Sequence, residues 1–256
     1  MQSVPSVGTR RPGLAGLAEL AGRAKPVSLA EARILPVLPA LVELFPEGGL
    51  RRGTVVAVSP GGGCGQASTS LAGALLAGVT AAGSWGAVAG AGVRNVGLHG
   101  LAEMGADLSR LALVDTPARD LPGVLSALLD AVDVVLLAGG DAVRPTDARR
   151  LAARARERGS VLVVLQKAGA TWPMPTDQFL VPMAAEWRGL GQGHGRLNGR
   201  FVQVELTGRG AATRPRRRYL WLPAPDGSVH PVGPGQVDDM EENNFDEVAT
   251  EMAGAG

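Results

Sequence analysis

The sequence predicts an α/β protein: a doubly wound, mostly parallel sheet with antiparallel strands added at one edge. Two observations carry that expectation. Between Thr54 and Leu165, short apolar runs rich in β-branched residues alternate with helical stretches of roughly 10–15 residues, the rhythm of strands buried on both faces and joined by crossover helices. After Gln166 the helical stretches stop while strand-like segments continue, and strands that succeed one another without a crossover must pair antiparallel.

Residues 1–27 are rich in Pro, Gly and Arg and are expected to form a flexible arm. A helical pattern opens at Ser28, a capping residue followed by Leu29, Ala30, Glu31 and Ala32. Phe45-Pro46-Glu47-Gly48-Gly49 reads as a turn, and Thr54-Val55-Val56-Ala57-Val58 as the first buried strand. A glycine loop from Ser59 to Gly65 then enters a helix of small residues through Leu71, Leu75 and Val79. Strand 84–89, a helix from His99 to Ala106, strand 111–114, helix 121–131, strand 134–138, an Arg-rich helix near 146–158 and strand 161–165 complete the alternation. Segments 178–188, 200–206 and 218–222 are the antiparallel additions, with a hairpin loop from Gly208 to Arg217. Phe201-Val202-Gln203-Val204-Glu205-Leu206 alternates apolar with polar, as a half-exposed strand does. The folded domain is therefore expected at 28–232, followed by an acidic, disordered tail at 233–256.

Composition excludes several classes of function. A chain of 256 residues with 45% hydrophobic content can bury a sizeable core. Its net charge of +1 creates no global field that demands nucleic acid or a membrane. The single cysteine, Cys64, excludes a disulfide framework and a thiolate metal cluster and fits a reducing cytoplasm. His99, His194 and His230 lie too far apart to suggest a metal site. No apolar run of 18 residues exists to span a bilayer, and the opening MQSVPSVGTRRPG lacks an apolar signal core, so export is not expected. The charge is unevenly placed. From Val237 onward there are seven acids and no base, which leaves 25 bases against 17 acids, a net +8, on residues 1–236.

The most informative segment is the strand–loop–helix passage from Val55 to Leu71. A phosphate-binding loop of the pattern G-x-x-x-x-G-K-[ST] uses backbone amides to cradle phosphates, a lysine to reach the β- and γ-phosphates and a hydroxyl to hold Mg²⁺. Here Gly61, Gly62, Gly63 and Gly65 supply the loop, but Gln66 stands at the lysine position and Ala67 at the hydroxyl position. Gln66 cannot neutralise a triphosphate and Ala67 cannot ligate a metal. Ser68 and Thr69 supply hydroxyls only if the loop is shifted. Ligands of such sheets sit at the carboxyl ends of the strands. Arg51 and Arg52 precede the first strand and lie at the wrong end, whereas Arg94, Arg144 and Lys167 follow strands and lie at the right one.

These residues carry a resemblance. Leu44-Phe45-Pro46-Glu47-Gly48-Gly49-Leu50-Arg51-Arg52-Gly53-Thr54-Val55-Val56 resembles the entry into the loop strand of the RecA recombinase superfamily. His99-Gly100-Leu101-Ala102-Glu103-Met104-Gly105-Ala106-Asp107-Leu108-Ser109-Arg110-Leu111 resembles its next helix-to-strand passage. Trp187-Arg188-Gly189-Leu190, Gly195-Arg196-Leu197 and Arg200-Phe201-Val202-Gln203-Val204 are similar to the ImuA-type RecA-like proteins, accessory proteins of the damage-induced (SOS) mutagenesis cassette. The resemblance spans about residues 40–222. It implies a RecA-like fold and a role in translesion synthesis beside an inactive Y-family polymerase homologue and an error-prone polymerase. It also exposes departures. The superfamily carries a catalytic Glu just after the strand at 84–89, where this chain has Gly90-Ala91-Gly92; its Mg-associated Asp ends the strand at 134–138, where this chain has Ala138-Gly139-Gly140, with Asp141 beyond. The loop after strand 161–165, which binds DNA in the recombinases, is curtailed to Lys167 through Thr176. The expectation is a vestigial nucleotide loop (Gly61, Gly62, Gly63, Gly65, Gln66, Ala67, Ser68, Thr69), no catalytic residue, and no cofactor. ATP with Mg²⁺ enters only if the chain is instead a RecA-like ATPase or recombinase with a non-standard loop. A SulA-like regulatory module is a further alternative.

Two charged regions remain. Arg209, Arg214, Arg216, Arg217 and Arg218 place five cations in ten residues without an acid. That suits sequence-independent phosphate contacts with DNA, or else a solvated hairpin loop, or a dock for the acidic tail. Arg149, Arg150, Arg154, Arg156 and Arg158 read as an exposed helix face. In the tail, Phe245, Val248 and Met252 fall on one helical stripe, which suits a partner's groove, with simple solubilising disorder as the alternative.

Overall fold

The computed structural model describes residues 33–61, 64–139, 143–191 and 194–233. The opening of the helical pattern, 28–32, lies outside them, as do the arm at 1–27 and the tail beyond Gly233. From residue 33 onward the chain does not continue that pattern as an α-helix. Strand β1 (Ile34–Pro36) pairs antiparallel with β2 (Gly49–Arg51), and a 3₁₀ helix spans Pro39–Leu44 between them. Pro36 and Pro39 account for the strand and 3₁₀ turn at 34–44, because proline within an α-helix removes a hydrogen bond and clashes with the preceding turn.

The main sheet has nine strands. β3 (Val55–Val58), β4 (Gly86–Ala89), β5 (Leu111–Val114), β6 (Val134–Ala138) and β7 (Val161–Leu165) form its parallel part. β8 (Gln178–Gly191) adds parallel to β3, and β9 (His194–Gly208), β10 (Arg216–Trp221) and β11 (His230–Pro231) continue antiparallel. The order is β11-β10-β9-β8-β3-β7-β6-β4-β5: a mostly parallel sheet with antiparallel edge strands, as expected. One segment departs: 178–188, expected among the antiparallel additions, enters as β8 parallel to β3, because the connection 166–177 returns the chain to the amino end of β3. The alternation of strand side chains separates two cores. Val134, Leu136, Ala138, Val161 and Val163 join one core with helix α1 (Gly65–Ala81). Val135, Leu137, Leu162 and Val164 join the other with α3 (Leu121–Ala131) and α4 (Pro145–Arg158).

Helix α1 lies between the sheet and the N-terminal segment, which is why it is apolar nearly all round. Leu71, Leu75, Leu76 and Val79 are fully buried, and Gly78 lets the chain at Val37 and Leu38 rest on the helix backbone. A Cβ at Gly78 would stand 2.6 Å from Val37 Cα. Helix α2 (Leu98–Glu103) is shorter than the 99–106 read from sequence. Gly105 adopts φ +94°, and Ala106 N–H donates to Leu101 O (2.9 Å) while Gly105 N–H donates to Ala102 O (2.9 Å), a left-handed C-terminal cap.

The antiparallel strands are longer than expected. β8 and β9 run to Gly191 and from His194, extending as one ribbon into the stretch between the expected strands 178–188 and 200–206. Gly189 and Gly195 at φ +101° and +102° and a register shift between Arg188 and Leu190 let the ribbon bend without ending. β8 pairs with β3 only through Leu180 opposite Val58, so the ribbon overshoots the end of β3 by eleven residues, about 35 Å. Likewise β10 begins at Arg216, paired with Leu206, so Arg216 and Arg217 belong to a strand and not to the hairpin loop.

Candidate functional site

At the carboxyl end of β3 the chain passes through the glycine loop into α1, as the sequence predicts. Gly62 and Gly63 lie outside the described residues. Gly61 packs against β8: a Cβ there would meet Pro182 O at 2.5 Å. The Cys64 N–H donates to Gly61 O (2.7 Å), which folds the turn onto itself. Ala67 and Ser68 N–H both donate to Cys64 O, at 3.0 and 3.2 Å. Among the described residues, the amides of Cys64, Ala67 and Ser68 are thus bonded within the loop and not turned toward an anion as in a phosphate cradle. Gln66 is exposed and Thr69 half-buried, while Ala67 and Ser68 are buried under the loop. The Ser68 hydroxyl faces Cys64 O at 3.5 Å.

Mg-ATP is the group the fold family implies here, and the residues present do not supply its ligands. The turn after β4 closes directly on the end of β6. Gly92 N–H donates to Ala138 O (2.9 Å), Gly90 turns at φ +106°, and a Cβ at Gly90 would stand 2.7 Å from that same oxygen. The positions where the superfamily carries Glu and Asp therefore occupy each other's space as backbone and methyl. Asp141 lies outside the described residues.

The cations at this edge are otherwise engaged or exposed. Arg94 forms an ion pair with Asp115 (2.5 Å). Arg144 precedes α4 and is exposed, and Lys167 is exposed just after β7. Arg52, at the opposite end, bonds Asp133 (2.8 Å).

A residue that sequence reasoning passed over sits beside the loop. Arg200, on β9, is only 3% exposed. Its Nε donates to Leu222 O (2.8 Å) and its Nη2 to the Ser70 hydroxyl on α1 (2.7 Å), with its guanidinium 4.9 Å from the Trp187 ring centre. Burial pulls the Arg200 guanidinium down from its ordinary value and pushes the Cys64 thiol up; each opposes the other's shift. The signal was its parity: Arg200 shares a face with Val202, Val204 and Leu206, all core residues.

The arginine cluster spans the outer antiparallel strands. Arg209 N–H donates to Asp177 O beside the amino end of β3, whereas Arg216 is level with Val58 through Leu206 and Leu180, and Arg217 and Arg218 continue past the carboxyl end of β3. Arg209 and Arg214 flank a 3₁₀ turn, Gly210–Thr213, and are exposed. Arg217 pairs with its cross-strand neighbour Glu205 (2.6 Å) and Arg218 with Glu43 (2.8 Å), while Arg216 donates to the Glu43 backbone carbonyl (3.2 Å). Tyr219 and Trp221 are half-buried. The Tyr219 hydroxyl accepts from Gln203 (2.7 Å), and Trp221 packs on Phe201 with ring centres 3.7 Å apart, so neither stands free for stacking. On α4, Arg154 chelates Asp130 (2.5 and 2.6 Å) and Arg158 reaches the same carboxylate, while Arg149, Arg150 and Arg156 are exposed. Phe245, Val248 and Met252 lie outside the described residues. Among the described residues, no helix is long and apolar enough to cross a membrane, and no group of three His, Cys, Asp or Glu is placed to hold a metal.

Residues 43–174 match the model of a family described as the MT3502 N-terminal domain. The uncharacterized protein Rv3395c of Mycobacterium tuberculosis is 37% identical over 145 residues, 55% of this chain and 69% of the relative. Among solved structures, the KaiC-like protein PH0186 from the hyperthermophilic archaeon Pyrococcus horikoshii OT3 matches with a TM-score of 0.55 over 79% of this chain and 99% of that one, at 13% identity. At that identity the likeness speaks for the fold alone. The fold is RecA-like.

Proposed function

This chain belongs to the MT3502 N-terminal domain family, and from that premise we propose that it is a RecA-fold accessory protein that binds partners instead of hydrolysing ATP, and that it serves mutagenic polymerases at damaged DNA. The observation that carries the reading is the closure of Gly90 and Gly92 onto Ala138 O. With no carboxylate placed there among the described residues to hold Mg²⁺ or activate water, and with Gln66 and Ala67 in the loop, the edge lacks the chemistry of phosphoryl transfer while keeping the scaffold. The polymerase partners come from the resemblance of segments 187–204 to ImuA-type proteins, and DNA contact from the arginines at 209–218.

Two measurements test this. Purified chain incubated with Mg-ATP is expected to release phosphate at the buffer rate; turnover that disappears in a Lys167→Ala variant would instead establish a working ATPase with a non-standard loop. Tagged chain co-expressed with an inactive Y-family polymerase homologue is expected to retain it in near-equal amounts through gel filtration. Failure to retain it removes the translesion role and leaves a regulatory module of the SulA-like type in its place.

A further inference from the structure

The end of the described chain points at the arginine cluster. β10 is an edge strand over Arg216–Arg218, because β11 pairs only Pro231 with Leu220 and His230 with Trp221. β11 runs antiparallel to β10, and Val232 N–H donates to Tyr219 O (2.9 Å). The chain at Gly233 is therefore travelling back along β10 toward Arg218, Arg217 and Arg216. Five residues later begins a sequence with seven acids and no base: Asp238, Asp239, Glu241, Glu242, Asp246, Glu247 and Glu251. Five residues span up to about 17 Å, and two residues of strand, from Arg218 to Arg216, measure about 7 Å.

The cations waiting there are not neutralised. Among the described residues, Arg209 and Arg214 have no ion pair, and Arg216 bonds only a backbone carbonyl. Arg217 and Arg218 already have carboxylate partners in Glu205 and Glu43. The body of the chain carries the net positive charge and the tail the net negative charge, so attraction is short-ranged by geometry and favoured by sign.

We propose that the acidic segment 238–251 docks on the Arg209–Arg214–Arg216 edge of its own chain and covers that surface against other polyanions. The docking stands on charge, direction and reach, and does not depend on the DNA reading of the same arginines. Its consequence is regulatory: a phosphate backbone must displace the tail before it gains those three guanidinium contacts.

The test uses the full chain, isotope-labelled, beside a variant carrying Asp238→Asn, Asp239→Asn, Glu241→Gln and Glu242→Gln. Neutralising the four acids is expected to move the backbone signals of Arg209, Arg214 and Arg216, and 1 M NaCl added to the unaltered chain is expected to move the same signals the same way. Signals that stay in place under both treatments overturn the proposal. Shifts that appear only when the protein is concentrated assign the tail to a second copy and overturn it as well. A fluorescent oligo-thymidine probe supplies the second arm. The neutralised chain is expected to bind it at least about fivefold more tightly at 50 mM salt; equal affinity means that the tail does not cover this surface and overturns that half of the claim. If neither chain binds the probe, the DNA reading fails while the spectral shifts still decide the docking.

Discussion

The glycine turn after β3 and the arginine edge of β10 offer an anion opposite things. At the carboxyl end of β3, strand, turn and helix succeed one another as in a cradle, but among the described residues the Cys64, Ala67 and Ser68 amides bond within the turn, and Gly90 and Gly92 close on Ala138. On the outer antiparallel strands there is no cradle, only three arginines, on a strand edge and its turn, that have no ion pair among the described residues. Enclosure without charge supports packing; charge without enclosure supports loose, salt-sensitive contact. Under the accessory-protein reading proposed above, the closed turns contribute packing and the exposed arginines contribute binding.

That contrast breaks most sharply at Arg200. Replacing it with Met leaves Leu222 O and the Ser70 hydroxyl without their buried partner, and should lower the free energy of unfolding in urea by about 3 kcal/mol. Gly90→Ala comes next. It places a Cβ against Ala138 O at a positive φ and should cost about 2 kcal/mol, read from the same melts. The repair pair Gln66→Lys with Ala67→Thr should yield no phosphate release above background; turnover would mean that the closed edge can still organise a metal. On the arginine edge, Arg217→Ala should change stability by about 0.5 kcal/mol or less, because its pair with Glu205 is an exposed one. The smallest effect concerns pH. The hydroxyl and amide of Ser109 hold the Asp107 carboxyl below the usual carboxylate range. Its stabilisation is therefore present above the unfolded value, near 4, and fades as pH falls through the lower folded value. Asp107→Asn should flatten that acid limb of the thermal-melting profile slightly and leave the neutral region unchanged.

Much of the parallel core was legible because its runs admit one reading. Val134 to Ala138 and Val161 to Leu165 are too short for buried helices and too apolar for an exposed strand. The glycine loop and its missing cation were legible for the same local reason. What stayed hidden is set by distant contacts or by glycine. Nothing near Arg200 in sequence announces Ser70, 130 residues earlier. The closure of Gly90 on Ala138 requires knowing that β4 and β6 are neighbours. The expected strands stop at 188 and resume at 200 because glycine weakens the strand pattern between them; here Gly189 and Gly195 permit a bent ribbon. The helical pattern opening at Ser28 lies outside the described residues, and from Ile34 onward Pro36 and Pro39 favour the short strand and 3₁₀ turn that are found.

The overshoot of β8 and β9 has a thermodynamic corollary. From Arg188 to Gly199, among the described residues, each strand is bonded only to the other, and Leu190 and Leu197 are exposed there at 62% and 48%. A lone hairpin is marginal in water, so this end of the molecule opens and recloses many times for each global unfolding event. Its amides should trade hydrogen for deuterium well ahead of those in β3, β6 and β7, and a protease should cut there first, trimming the tip while the nine-stranded body remains intact.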